Sequence, residues 1–170
     1  MSAPGPGRRA RLALVVLFAA AMGWLEGVVV VYIRSLLGIA HAAGYPSEAE
    51  VMARMRALPW LLPTEQGREA ATLVMLAAVA WLAGARPRTR IAAFLVVFGV
   101  WDLVYYLALV ALVRWPPSLT TWDLLFLLPP GPWWYQPVWV PIAIAAVMVI
   151  VGVALWIRDS GADPAPSRSV

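Results

Sequence analysis

Apolar residues fall into four long runs divided by short polar stretches: Leu12–Ile33, Arg68–Ala85, Ile91–Val113 and Val138–Ile157. A helix of about 20 residues rising 1.5 Å per residue spans a hydrocarbon core of about 30 Å, so each run predicts a membrane-crossing helix, the second being short and rich in alanine. Two further segments carry a different pattern. In Ser47–Leu62 the apolar positions Val51, Met55, Leu58 and Leu62 share one stripe, with Glu48, Arg54 and Arg56 elsewhere, and Ser47 with Glu50 forms a capping box. That segment predicts an amphipathic surface helix at the membrane interface. Ser118–Leu128 is apolar, too short to cross, and bounded by Pro116-Pro117 and Pro129-Pro130, so it predicts a short re-entrant or interfacial helix with Asp123 in its first turn. The fold class expected is therefore all-α: a polytopic bundle of four transmembrane helices, one surface helix and one short re-entrant or interfacial helix. Residues 1–10 and 159–170 read as polar tails around a single transmembrane domain, 11–158.

Composition fits this pattern. Hydrophobic residues make up 62% of the 170 and charged residues 13%, with a mean hydropathy of +0.78, more apolar surface than a soluble domain of this size can bury. A net charge of +4 could suggest nucleic acid, but the arginines sit in short clusters beside apolar runs, where they orient helices in a membrane, and no basic face with interleaved aromatics exists. The lipid bilayer is the expected partner, with a homo-oligomer or larger membrane complex as a further one, and nucleic acid is not. Arg8, Arg9, Arg11, the triple-Arg loop Gly84–Arg90 and Arg158 place both termini and that loop in the cytoplasm of a multi-pass cell-membrane protein. A secretory signal starting at Arg8 is the competing reading of the first run, and the continuation through Val28–Val31 argues for a retained helix.

With no cysteine and one histidine, His41, the chain offers no thiolate site, no bis-histidine haem and no multi-histidine metal centre, so no metal or cofactor is expected. Candidate chemistry lies instead in polar side chains within the apolar runs. Ala19, Gly23 and Gly27 repeat at four-residue spacing, a small-residue face that lets a second helix approach, and Glu26 beside it should face protein. In the third run Gly99, Asp102 and Tyr106 stack along one side, bringing a tyrosine hydroxyl of Tyr105 or Tyr106 toward the carboxyl. By helical rise alone Glu26 and Asp102 lie within roughly 6–8 Å in depth, so the two acids could meet if their helices touch. Glu69 reads as interfacial. Arg34, Arg114, Asp123 and the aromatic turn Trp133-Trp134-Tyr135 gather on the outer side, above the buried acids. The candidate polar site is Glu26, Arg34, Asp102, Tyr105, Tyr106, Arg114 and Asp123, in an outward-facing pocket walled by aromatics.

The triplet Trp101-Asp102-Leu103 returns as Trp122-Asp123-Leu124. FGVWDLVYY followed by WP, then TWDLLFLLP with PWW and PVW, resembles a family of uncharacterised bacterial and archaeal integral membrane proteins carrying WDxxYY and WDxLFLxP…PW motifs. The likeness covers about residues 94–141, and EGVVVVYIR resembles that family's first helix. The resemblance implies the multi-pass architecture, in the bacterial case in the inner membrane, and implies no catalytic role. Without a P-loop, HExxH, GxSxG or glycine-rich dinucleotide turn, the sequence favours a non-catalytic membrane component or binding module. A proton-coupled carrier using Glu26 and Asp102, and an enzyme acting on a lipid or isoprenoid head held by Arg34 or Arg114, are the alternatives.

Overall fold

A computed structural model describes residues 7–39 and 46–158. Its elements are α1 (Arg8–Leu36), α2 (Glu48–Arg56), α3 (Leu61–Ala83), α4 (Pro87–Val113), β1 (Trp122–Leu124), a single 3-10 turn (Pro132–Trp134), β2 (Tyr135–Pro137) and α5 (Trp139–Arg158). The chain is mostly helical, and α1, α4 and α5 are long and apolar enough to cross a membrane. α3 is long enough too, but its first third carries Glu65, Gln66, Arg68 and Glu69 and dilutes its apolar character. Residues 1–6 and 159–170 of the expected tails, and His41, lie outside the described residues; α1 already starts at Arg8, inside the stretch expected as tail.

α4 is the central post, touching α1, α3 and α5, whereas α3 and α5 make little contact with each other. The closeness of α1 and α4 follows from the small-residue face. A Cβ on Gly23 would lie 2.4 Å from the carbonyl oxygen of Trp101, and one on Gly27 2.5 Å from Cβ of Ala108, so only hydrogen at these positions permits this separation. On another face Gly99 meets the carbonyl of Ala145 and the side chain of Val149 of α5. The half of the bundle nearer the α3–α4 loop is solid, filled by Val15, Ala19, Leu76, Ala80, Val96, Val97 and Trp156. Large side chains such as Leu17, Leu82 and Ile150 stay exposed around the outside, a girdle suited to a hydrocarbon solvent.

Helix boundaries follow local chemistry. Ser47 caps α2, its hydroxyl accepting from Glu50 N–H while Glu50 accepts from Ser47 N–H at 3.0 Å. The helix predicted to reach Leu62 stops at Arg56, because Pro59 cannot donate and disfavours helical backbone before it. α3 then begins at Leu61, seven residues before the expected start, with Pro63 in its first turn, where a missing N–H costs nothing.

The segment Ser118–Leu128, expected as a short helix, departs from expectation within a fold that remains mostly helical. Here the backbone is extended, not helical: β1 pairs antiparallel with β2, Asp123 opposite Gln136. Leu125 N–H donates to Trp134 O, Val138 N–H to Thr121 O and Trp139 N–H to Leu119 O, each at 2.9 Å. Pro116-Pro117 and Pro129-Pro130 bar a helix from continuing at either end, while a partner strand satisfies the backbone groups between them. The result is a small ribbon over the end of the bundle where α5 begins.

Candidate functional site

Beneath the ribbon lies a cavity of about 440 Å³ bounded by all five helices, by Leu37 and Ile39 after α1, and by residues 123–127 and Trp134, within the size range of small-molecule pockets. α1 contributes Glu26 and Arg34, α3 Glu65, Arg68 and Glu69, α4 Asp102, Tyr105 and Tyr106, and β1 Asp123. Its remaining wall is apolar, with Phe94 and Phe98 of α4 facing the side of Ile144 and Met148 of α5. Six of the seven residues singled out from the sequence therefore border one space. Arg114 does not: it is exposed, with left-handed backbone (φ 55°) at the end of α4, and does not line the cavity.

The acids differ sharply in what they touch. Glu26 pairs with Arg68, whose Nε also donates to Glu65 Oε2 at 2.7 Å, so one guanidinium joins α1 to α3 between two carboxylates. The counterpart of Glu26 is thus Arg68 and not a second acid. Glu69, expected at an interface, is buried at 6% exposure. It accepts from the backbone N–H of Leu127 at 2.8 Å and Leu128 at 3.1 Å, tying the ribbon's connecting segment to α3. Asp123 is buried as well, taking the hydroxyl of Tyr106 at 3.2 Å and its neighbour Leu124 N–H at 3.0 Å. The Tyr106 hydroxyl predicted to reach Asp102 serves the other Trp-Asp-Leu triplet instead. Asp102 borders the cavity, and no donor among the described residues hydrogen-bonds to its carboxyl.

Arg34 is buried with its guanidinium 3.7 Å from the centroid of the Trp115 ring, a cation–π stack that anchors the end of α1 to the end of α4. Aromatics continue across the roof: Phe98 lies 6.4 Å from Phe126, which lies 5.0 Å from Trp134, and Trp122 stacks on Tyr135 at 5.2 Å. In the ribbon, partial burial raises the pKa of the Tyr135 hydroxyl, and the charges of Asp123, Glu48 and Glu50 push the same way. It remains a donor, facing Pro46 O at 3.4 Å. Glu26, Arg68, Glu69 and Trp101 also border a second void of about 30 Å³ beside Thr72, room for one water.

Glu65, Arg68 and Glu69 are the site residues that sequence reasoning missed. The buried face of α3 is Leu61, Glu65, Glu69, Thr72, Leu76 and Ala80, a three-and-four spacing visible in the sequence once the helix is started early enough. Among the described residues no group of three or more His, Cys, Asp or Glu side chains is arranged to hold a metal ion. No family model, no curated protein and no solved structure matches the chain.

Proposed function

We propose that this chain is a multi-pass membrane protein that binds an amphipathic small molecule, its tail lying along α4 and α5 and its head under the ribbon. The observation that carries this reading is one cavity in which a group of charged side chains adjoins an apolar arm. Phe94 and Asp102 both border it and are eight residues apart, about 12 Å along a helix axis. The apolar arm thus suits a hydrocarbon chain, and the charged chamber a polar head. Most of the polar residues there are already engaged in holding elements together, which accords with a binding module and calls for no catalytic group.

In this reading α1, α3, α4 and α5 all cross the bilayer. α3 does so because its charged first third faces protein, where Glu65 and Glu69 are buried, so lipid meets the apolar remainder. The arginines of α1, of the α3–α4 loop and of Arg158 mark the cytoplasmic side, leaving the ribbon and α2 outside. The WDxxYY and WDxLFLxP resemblance fits the same arrangement, since both aspartates border the cavity.

The test is a titration of the full chain in phosphatidylcholine nanodiscs with dodecanol, read by tryptophan fluorescence, because Trp101 and Trp134 border the cavity. Saturable binding that disappears when Val30→Trp fills the chamber is the expected result. Non-saturable partitioning, the same in both proteins, refutes the reading.

A further inference from the structure

We infer that the head group this cavity accepts is a primary ammonium, received by Asp102; the inference rests on the amphiphile reading above and adds the chemistry of the head. Five carboxyls border the space against two guanidiniums, so the chamber carries an excess of acid. Both guanidiniums are engaged: Arg68 is held between Glu26 and Glu65, and Arg34 stacks on Trp115. An anionic head such as a phosphate would therefore have to break an existing pair and would meet carboxylates beyond it. What the chamber offers a ligand is acceptor capacity. Glu69 spends its acceptors on the backbone of Leu127 and Leu128, and Asp123 on Tyr106 of α4 and its neighbour Leu124, whereas Asp102 borders the cavity with no donor from the described residues.

A partly buried carboxyl with empty acceptor positions favours a partner that brings both donors and positive charge, because a charge-assisted N–H···O bond is stronger than a neutral one and offsets the desolvation of both groups. A primary ammonium brings three donors. One can bond Asp102 while the others face the hydroxyl oxygens of Tyr105 and Tyr106, which border the same space. Below Asp102 the wall turns to Phe98, Phe94 and Met148, so the ammonium must be carried on a hydrocarbon tail. Two sources share this chemistry, a simple long-chain amine and an aminophospholipid.

The experiment titrates the full chain in phosphatidylcholine nanodiscs with dodecylamine, dodecanol and dodecyl phosphate, and repeats each titration on Asp102→Asn. Dodecylamine should bind roughly tenfold or more tighter than dodecanol, as expected for a hydrogen bond to a charged group, and dodecyl phosphate should bind weakest. Asp102→Asn should abolish the preference of amine over alcohol, and a cooperative thermal transition of the variant in the same nanodiscs shows that it is folded. Should Asp102→Asn fail to fold, the ranking on the unaltered chain decides alone. Equal affinity for amine and alcohol, or tightest binding of the phosphate, overturns the ammonium assignment and leaves the amphiphile reading standing. If none of the three binds saturably, the amphiphile reading itself fails. Adding phosphatidylethanolamine to the nanodiscs separates the sources: competition with dodecylamine assigns an aminophospholipid, and unchanged affinity assigns a simple amine.

Discussion

Replacing Glu69 tests how the ribbon is held over the cavity. Its two carboxylate oxygens accept from Leu127 N–H at 2.8 Å and Leu128 N–H at 3.1 Å, linking α3 to residues 58 and 59 positions further along the chain. Glu69→Ala leaves both donors without an acceptor. A stranded buried donor costs about 1–3 kcal/mol, and because these two are only half-buried the low end applies to each, giving about 2 kcal/mol together. For a chain of this size that corresponds to a melting-temperature fall of roughly 4–8 °C. Glu69→Gln keeps one acceptor oxygen and should lose about half as much. Differential scanning fluorimetry of purified protein gives the first number. Hydrogen exchange of a peptide spanning residues 124–130 gives a local one, since both amides should lose protection while the amides of α4 keep theirs. Because residues 124–127 border the cavity, dodecanol binding should weaken in parallel. Unchanged melting and unchanged exchange in Glu69→Ala would show that the ribbon is held by its aromatic contacts and its strand pairing alone, and would refute the tether.

Gly27→Ala should cost about 1–3 kcal/mol by overpacking against Cβ of Ala108, 2.5 Å away; adding Ala108→Gly should restore most of it, and purely additive losses in the double variant would count against the contact. Arg68→Leu should destabilise the protein more than Glu26→Gln, because it strands the carboxylates of both Glu26 and Glu65; an equal loss would argue against a shared guanidinium. Trp115→Leu removes the ring beneath Arg34 and should cost about 2 kcal/mol for a desolvated cation–π contact, with a melting temperature equal to that of the unaltered chain as the contrary result. Topology can be read directly because the chain has no cysteine. Ser118→Cys should react with a membrane-impermeant maleimide in intact cells and Arg88→Cys only after permeabilisation, and the reverse pattern would invert the proposed orientation.

What the sequence revealed depended on the range of the interaction. The long helices were legible because membrane-length apolar runs are a one-dimensional signal, and α1, α4 and α5 fall within a few residues of where that signal puts them. The close-packing face of α1 was legible for the same reason, since Ala19, Gly23 and Gly27 form a stripe on a single helix, although the stripe does not name α4 as the helix that meets it. Ser47 and Glu50 define a cap within four residues, and the cap is there.

Pairings between elements were not legible, since sequence spacing constrains which side chains share a face but not which face meets which. Tyr106 lies one turn from Asp102 yet gives its hydroxyl to Asp123, which the ribbon delivers from outside the helix. The strand at Trp122–Leu124 could be recognised only together with Tyr135–Pro137, because a three-residue strand has no period of its own and exists through its partner.

α3 shows how a local reading goes astray and why the correction matters for function. Starting the helix at Arg68 puts Glu69 at its end, where a charged residue belongs in water; starting it at Leu61 moves Glu69 two turns in and aligns it with Glu65 and Thr72 on the buried side. Those polar residues then cannot face lipid without a large penalty, so their partners must come from the protein. Arg68 turns to Glu26 and Glu65, and Glu69 to the ribbon. Once these pairs are satisfied, Asp102 is the carboxyl in the chamber whose acceptors no described residue fills. The polar content that disqualifies α3 as an ordinary apolar span is therefore what engages the other charges of the chamber and leaves Asp102 as its carboxyl without a donor among the described residues.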